Sequence, residues 1–307
     1  MREKVIEVEG LVKCYGKLVA VNDVSFECYR GEIFSLIGPN GAGKTTTVEI
    51  LECLRRPTSG SARVLGFDVV GGEREIKKRI GVMPQNFNAF ERLTVKENVE
   101  LIAKIYGVKA DIKGLLERMG LWDVRGRRYY TLSGGMKRRV GICMALVSDP
   151  EILFLDEPTT GLDPQARREC WEVIRDARRM GKTVFLTTHY MDEVENLSDR
   201  ASIMIKGKIV ATDEVATLIA KYGGGVKVAV KGGKEVEDLL TRFTNNVYRD
   251  GFGNIIGVFD SKLEASRALT ALYQYSDKCA AEMILPSLEE AFLRLAGGRI
   301  DERGELV

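Results

Sequence analysis

Ile33-Phe34-Ser35-Leu36-Ile37-Gly38-Pro39-Asn40-Gly41-Ala42-Gly43-Lys44-Thr45 decides the fold. The first five residues form a short run, apolar but for Ser35, of the kind a strand buried on both faces shows. The next eight fit G-x-x-x-x-G-K-[ST], and a helical pattern from Lys44 to Leu54 follows. Strand, glycine loop and helix in that order bring backbone N–H groups to a helix N-terminus, where they close around phosphate oxygens. Lys44 then reaches the β- and γ-phosphates of a nucleotide, and the Thr45 hydroxyl is suited to ligate Mg²⁺. Gly38, Pro39, Asn40, Gly41, Ala42, Gly43 and the adjoining Thr46 complete the expected cradle.

Other segments supply the chemistry such a cradle needs. Ile152-Leu153-Phe154-Leu155 reads as a second buried strand, and it ends in Asp156 and Glu157. Mg²⁺ prefers oxygen ligands and keeps several waters, so Asp156 is suited to hold it through water. Glu157 would face the γ-phosphate and polarise the attacking water, help typically worth ~10²–10⁴-fold in rate. A third strand, Thr183 to Thr187, leads to His189, the only histidine, whose imidazole can bond the γ-phosphate and orient that water. Gln85 follows a short strand (Arg79 to Met83), from which it could touch the Mg²⁺ or the water. Tyr15 ends the first strand, where its ring either stacks on adenine or is an ordinary half-buried tyrosine. No N-K-x-D motif for reading guanine is present, which favours ATP. Leu132-Ser133-Gly134-Gly135-Met136 is a second anion-ready segment. One fold needs one nucleotide pocket. Ser133, Gly134 and Gly135 are therefore expected to touch a phosphate held by another copy of the domain.

Composition narrows the rest. The 307 residues are 45% hydrophobic and 29% charged with a net charge of +2, which gives no electrostatic argument for a nucleic-acid partner. No run approaches the ~18 apolar residues a membrane span needs. Met1-Arg2-Glu3-Lys4 is followed by no apolar core, so a soluble or peripheral intracellular protein is expected. The cysteines (Cys14, Cys28, Cys53, Cys143, Cys170, Cys279) lack C-x-x-C spacing and read as small hydrophobes.

Alternating strands and helices imply an α/β fold with a largely parallel sheet, flanked by antiparallel opening strands (Val5 to Val12, Ala20 to Cys28). Strand signals stop after Gln85. Helices over Val95 to Tyr106 and Ile112 to Met119 suggest an inserted helical lobe at about 86–140. Gly223-Gly224-Gly225 is a break between a first domain, 1–222, and a second, 226–307. In the second, strands over Val226 to Val230, Asn246 to Arg249, Ile255 to Phe259 and Cys279 to Ile284 interleave with helices over Val236 to Phe243 and Lys262 to Tyr273. A helix over Ser287 to Leu295 ends it. This β-α-β-β-α-β order suits a small α+β, ferredoxin-like domain.

From about residue 5 to 220 the chain resembles the ATP-binding cassette (ABC) ATPases, with every hallmark in order. Gly38 to Thr45 is similar to Walker A, Gln85 to the Q-loop residue and Leu132 to Met136 to the signature. Asp156 ends a Walker B strand, Gly161-Leu162-Asp163 looks like the D-loop, and His189 like the switch histidine. Met136 departs from the family's usual Gln, although the phosphate-facing atoms there are the serine hydroxyl and glycine amides. Met136 to Arg139 and Pro286 to Leu293 are similar to the branch of separate-subunit ATPases that serve exporters. The resemblance implies a P-loop NTPase core of ABC type that hydrolyses ATP with Mg²⁺, with Asp163 near the nucleotide. It further implies a head-to-tail dimer with a second nucleotide-binding subunit, a copy or a paralogue. Integral membrane permease subunits would be separate chains, holding the protein at the cytoplasmic face of the cell membrane. The alternative is a soluble ABC ATPase acting on ribosomes or DNA. A single Walker A and the lack of a long coiled coil weigh against it.

Overall fold

The computed structural model describes residues 2–275, 280–298, 300–301 and 304–306. A long antiparallel hairpin, β1 (Lys4–Tyr15) and β2 (Leu18–Tyr29), opens the chain. The motif strand, β3 (Ile33–Ile37), is buried at every position and runs into α1 (Lys44–Leu51). That helix stops short of the expected Leu54 because Cys53 takes a left-handed backbone, φ 57°, which no right-handed helix continues. β4 (Ser59–Val64) and β5 (Phe67–Asp68) then extend the opening hairpin into a four-stranded antiparallel sheet, β2-β1-β4-β5.

After α2 (Glu73–Lys77) and β6 (Ile80–Met83) comes a helical stretch. A capping box of Thr94 and Glu97 starts α3 (Val95–Tyr106), and Gly107 ends it with φ 67°. α4 (Ile112–Arg118) follows, and Ser133 caps α5 (Gly134–Leu146). Val95, Val99, Leu115, Leu116 and Val140 from these helices share one apolar core with Leu153, Leu155, Val184 and Leu186. The helical stretch is therefore packed continuously onto the sheet.

β7 (Ile152–Asp156), α6 (Pro164–Arg179), β8 (Thr183–Thr188), α7 (Met191–Leu197), β9 (Arg200–Ile205) and β10 (Lys208–Glu214) complete this part. The central sheet runs β10-β9-β3-β8-β7-β6, parallel from β9 to β6 with β10 antiparallel at its edge. Its register pairs Ile37 with Thr188 and Asp156 with Thr187. The carboxyl ends of β3, β7 and β8 thus share one edge, where open α/β sheets bind ligands. Beneath it Phe34 stacks on Phe26 and Phe185 at 5.5 and 5.4 Å between ring centroids, which joins the two sheets. Such aromatic pairs add about 0.5–1.5 kcal/mol each beyond burial.

The chain divides into two compact units, Met1–Val215 with Ile300–Val307, and Ala216–Arg299. In the second, α8 (Val215–Tyr222) precedes β11 (Val226–Val230), α9 (Lys234–Leu240), β12 (Val247–Arg249), β13 (Ile255–Phe259), α10 (Lys262–Tyr275), β14 (Ala281–Ile284) and α11 (Leu288–Ala296). Its strand order, β12-β13-β11-β14 with every pair antiparallel, is the ferredoxin-like one. Val228, Val230, Ile255 and Phe259 pack against Val236 and Leu240 of α9 and Ala268 and Leu272 of α10. Cys279, at the start of the expected last strand, lies outside the described residues.

The division differs from the expected one at two places. The triple glycine is no hinge: Gly223 donates to the Ile219 carbonyl at 2.7 Å, and a Cβ on Gly225 would meet the Phe259 carbonyl at 2.3 Å. Close backbone approach requires Gly223 and Gly225, a left-handed backbone (φ 76°) favours glycine at 224, and α8 falls with the second unit. At the other end, residues 300–301 and 304–306 fall with the first unit, where the Asn40 N–H donates to the Gly304 carbonyl at 2.5 Å. Among the described residues no helix is long and apolar enough to cross a membrane. Five described cysteines are free, four of them buried.

Candidate nucleotide-binding site

The phosphate loop is pressed against its neighbours so closely that side chains are excluded. A Cβ on Gly38 would lie 2.1 Å from the Met204 carbonyl, and one on Gly43 (φ 103°) 2.3 Å from the Ala20 carbonyl. Gly43 is the N-cap of α1 and offers no side chain to its first turn, which leaves those N–H groups for an anion. A cleft of about 440 Å³ opens here, bounded by Tyr15, residues 40–46, Gln85 and Glu157. Lys44 is 5% exposed and donates to the Gly38 and Pro39 carbonyls at 2.7 and 3.0 Å. Burial lowers its pKa against the pull of Glu157, 3.6 Å away, and Asp156.

The two adjacent acids face different partners. Asp156 accepts from the Thr187 hydroxyl and is bonded by that of Thr45; burial nevertheless raises its pKa. Glu157 turns out of the strand with φ 48°, a left-handed conformation that costs a non-glycine residue ~1–2 kcal/mol. Its Oε2 accepts from Gln85 Nε2 at 3.1 Å and from the Thr160 hydroxyl at 3.0 Å. The His189 Nδ1 lies 3.4 Å from the same oxygen but is not aligned for a hydrogen bond. Burial pushes the Glu157 pKa up, yet His189, Lys44 and Thr160 outweigh it and hold the carboxyl at about 2.

Lys44, Thr45, Gln85, Asp156, Glu157 and His189 are thus gathered at one end of the sheet. Tyr15 is 39% exposed at the cleft, with Lys13 and Arg55 cations 5.2 and 5.6 Å from its ring centroid. Ser133, Gly134, Gly135 and Asp163 do not line the cleft. Ser133 accepts from the Met136 N–H at 3.3 Å as the cap of α5, and both Ser133 and Gly134 are exposed. Gly135 is buried because a Cβ there would lie 2.8 Å from Ala166 Cβ. Asp163 is exposed and caps α6 by accepting from Gln165 and Ala166 at 3.0 and 2.9 Å.

Three site partners escaped the sequence reading. Thr187 and Thr160 reach the acids, and Arg138 of α5 donates to the Gln85 carbonyl at 2.9 Å, linking the signature helix to the cleft. Thr160, three residues past Glu157, was within reach of a local reading. Thr187 and Arg138 carry no such signal, since sheet register and helix packing bring them in.

A family model described as ABC transporter matches residues 21–160. The daunorubicin/doxorubicin resistance ATP-binding protein DrrA of Streptomyces peucetius is 35% identical, over 98% of this chain and 94% of that protein. The Nod factor export ATP-binding protein I of Rhizobium sp. (strain N33) is 36% identical, over 98% of this chain and 100% of its own. Among solved structures, the chain is similar to the ATP-binding cassette MJ0796 in a dimeric, post-hydrolysis state bound to ADP and Pi. That likeness has 27% identity and a TM-score of 0.61, over 68% of this chain and 98% of the other. An ATP-binding subunit of an ABC transporter matches with 28% identity and a TM-score of 0.63, over 71% and 93%. Identity at this level along nearly the whole of both curated relatives shows that the chain belongs to the ABC transporter family as an ATP-binding, ATP-hydrolysing subunit.

Proposed function

We propose that this subunit drives an exporter by closing head to tail with a second nucleotide-binding subunit over two ATP molecules. Each ATP lies between the Lys44 cleft of one protomer and the Ser133-Gly134-Gly135 segment of the other. The observation that carries this reading is the separation within one chain: an exposed, serine-capped glycine helix start lies outside the cleft whose phosphate it would suit. The dimeric ADP-bound cassette among the structural neighbours supports it. The names of the curated relatives, one a resistance protein and the other a Nod factor exporter, support outward transport.

Moving such a dimer from 1:99 to 99:1 closed takes about 5.5 kcal/mol of differential affinity. Charge-assisted hydrogen bonds to a γ-phosphate, at about 1.5–3 kcal/mol each, supply that across two sites, and ADP lacks the group. The cleft also carries its own trigger. Lys44 and His189 hold the Glu157 carboxyl acidic. A γ-phosphate competes for both, and each contact withdrawn from Glu157 restores its basicity toward the attacking water. Thr45 and Gln85 line the cleft and Asp156 bonds the Thr45 hydroxyl behind it, so a hydroxyl, a carboxylate and an amide oxygen are on hand, a donor chemistry that fits Mg²⁺ with its retained waters. Bound there, the ion would neutralise phosphate charge. Arg138, holding the Gln85 carbonyl, carries the state of the cleft to the helical stretch and from there to separate membrane subunits.

Replacing Ser133 with Arg tests the shared site. ATP binding by the monomer should persist while ATP-dependent dimerisation and hydrolysis are lost, read by chromatography and phosphate release. Unchanged turnover would refute a pocket completed in trans.

A further inference from the structure

We propose that Glu193, outside the nucleotide cleft, is a positioning residue for hydrolysis: its buried carboxyl fastens the loop after Glu157 to the helix after His189, so that the two reacting side chains are held as one unit. Glu193 lies in the first turn of α7, four residues past His189, and is 0% exposed. Its Oε1 accepts from the Thr159 hydroxyl at 2.8 Å and from Trp171 Nε1 at 3.1 Å. The Thr188 hydroxyl faces the carboxyl as well, without closing a hydrogen bond on Oε2. A fully buried carboxyl is costly unless its bonds hold something in place.

What it holds follows from chain order. Thr159 sits two residues after Glu157, and the next residue, Thr160, is the one that donates to the Glu157 carboxylate. Thr188 immediately precedes His189. Trp171 belongs to α6, which starts at the Asp163 cap. Glu193 is therefore where the segments flanking both reacting residues meet. The two helices are fastened at further points: Arg167 pairs with Asp192 at 3.0 Å and lies 4.2 Å over the Tyr190 ring, and Arg175 donates to the Asn196 carbonyl at 3.0 Å. Within Asp192-Glu193-Val194-Glu195, Asp192 and Glu195 are exposed while Glu193 is buried.

Burial raises the pKa of Glu193, and its Oε1 acts as the acceptor for Thr159 and Trp171, bonds that the oxygen of an amide can also accept. The test uses the full chain and steady-state ATP hydrolysis with Glu193→Gln, Glu193→Leu and Thr159→Val. Glu193→Gln keeps the Oε1 acceptor and should turn over within about twofold of the parent. Glu193→Leu keeps the volume but loses the acceptor; kcat should fall about 10²-fold through misplacement of the reacting pair, with KM for ATP within about twofold. Thr159→Val should lower kcat in the same sense, and combining it with Glu193→Leu should add nothing further. A full loss for Glu193→Gln, normal turnover by Glu193→Leu, or a fall in kcat accompanied by equal loss of ATP binding and melting temperature would overturn the proposal. The inference rests on the reading of His189 as a reacting residue, and His189→Ala separates the two. If that variant is active, the reading of the cleft fails; if it is inactive while Glu193→Leu is normal, only the role of Glu193 fails.

Discussion

Two regions of the first unit are built on opposite plans. Around Lys44 the charged groups are consumed internally: the ammonium is held by its own loop, and Glu157 by Gln85 and Thr160 with Lys44 and His189 beside it. At the starts of α5 and α6, Ser133 and Asp163 are exposed and satisfy only the first turns of their own helices. The first region is a closely knit charge network at the phosphate loop. The second offers exposed helix starts, where a dipole favours negative charge, and among the described residues only their own caps bond them. The contrast is what the proposed shared site rests on: one subunit would bind ATP alone and need a second to complete the pocket.

The largest expected effect separates the chemistry of the cleft from closure. Glu157→Gln should slow phosphate release by ~10²–10⁴-fold, while an ATP-dependent dimer accumulates in chromatography. Normal turnover would remove Glu157 from the mechanism. A Glu157→Gln protein that turns over slowly but never dimerises would show that the exposed face does not receive the nucleotide.

Stability sharpens the comparison further, because the cleft carries a cost that the exposed face does not. Asp156 has its pKa raised by burial, so its favourable contribution is fully present below the ordinary value of 3.8 and is lost as pH rises through the higher folded value. Burial disfavours its charged form, so Asp156→Asn should raise the melting temperature measured without nucleotide while abolishing turnover. Glu157 has the opposite sign: its contribution is present above the ordinary 4.5 and is lost as pH falls toward about 2. Glu157→Gln should accordingly flatten the acid limb of stability between those values. At the exposed face, Asp163→Ala removes a helix cap and should cost about 0.5–2 kcal/mol, measured by denaturant unfolding. A stabilised Asp163→Ala or a destabilised Asp156→Asn would break the contrast.

The smallest effect falls at the rim. Tyr15→Ala removes a ring worth about 1 kcal/mol in stacking, which should raise KM for ATP about fivefold with kcat unchanged. An unchanged KM would make Tyr15 an ordinary strand-end residue.

Local pattern carried far in this chain where local forces decide. Ile33–Ile37 and Val95–Tyr106 occupy the spans their residues suggest, because an unbroken apolar run and a capping box are self-contained signals. The ferredoxin-like order of the second unit was likewise readable from alternating strands and helices. At 223–225 glycine serves two ends, a left-handed backbone at Gly224 and close packing at Gly223 and Gly225, and only the neighbouring carbonyls reveal the second. The site was legible where its residues end strands. Thr187, Arg138 and Glu193 were not, because their partners are set by register and helix packing between segments far apart in the chain.

The central claim is that each ATP is hydrolysed between two subunits, and the rate of hydrolysis per molecule as protein is diluted at saturating ATP and Mg²⁺ tests it most directly. The account predicts a specific rate that falls toward zero as the dimer dissociates and is restored on reconcentration. A specific rate that stays constant to the lowest concentration at which phosphate can be detected would contradict it.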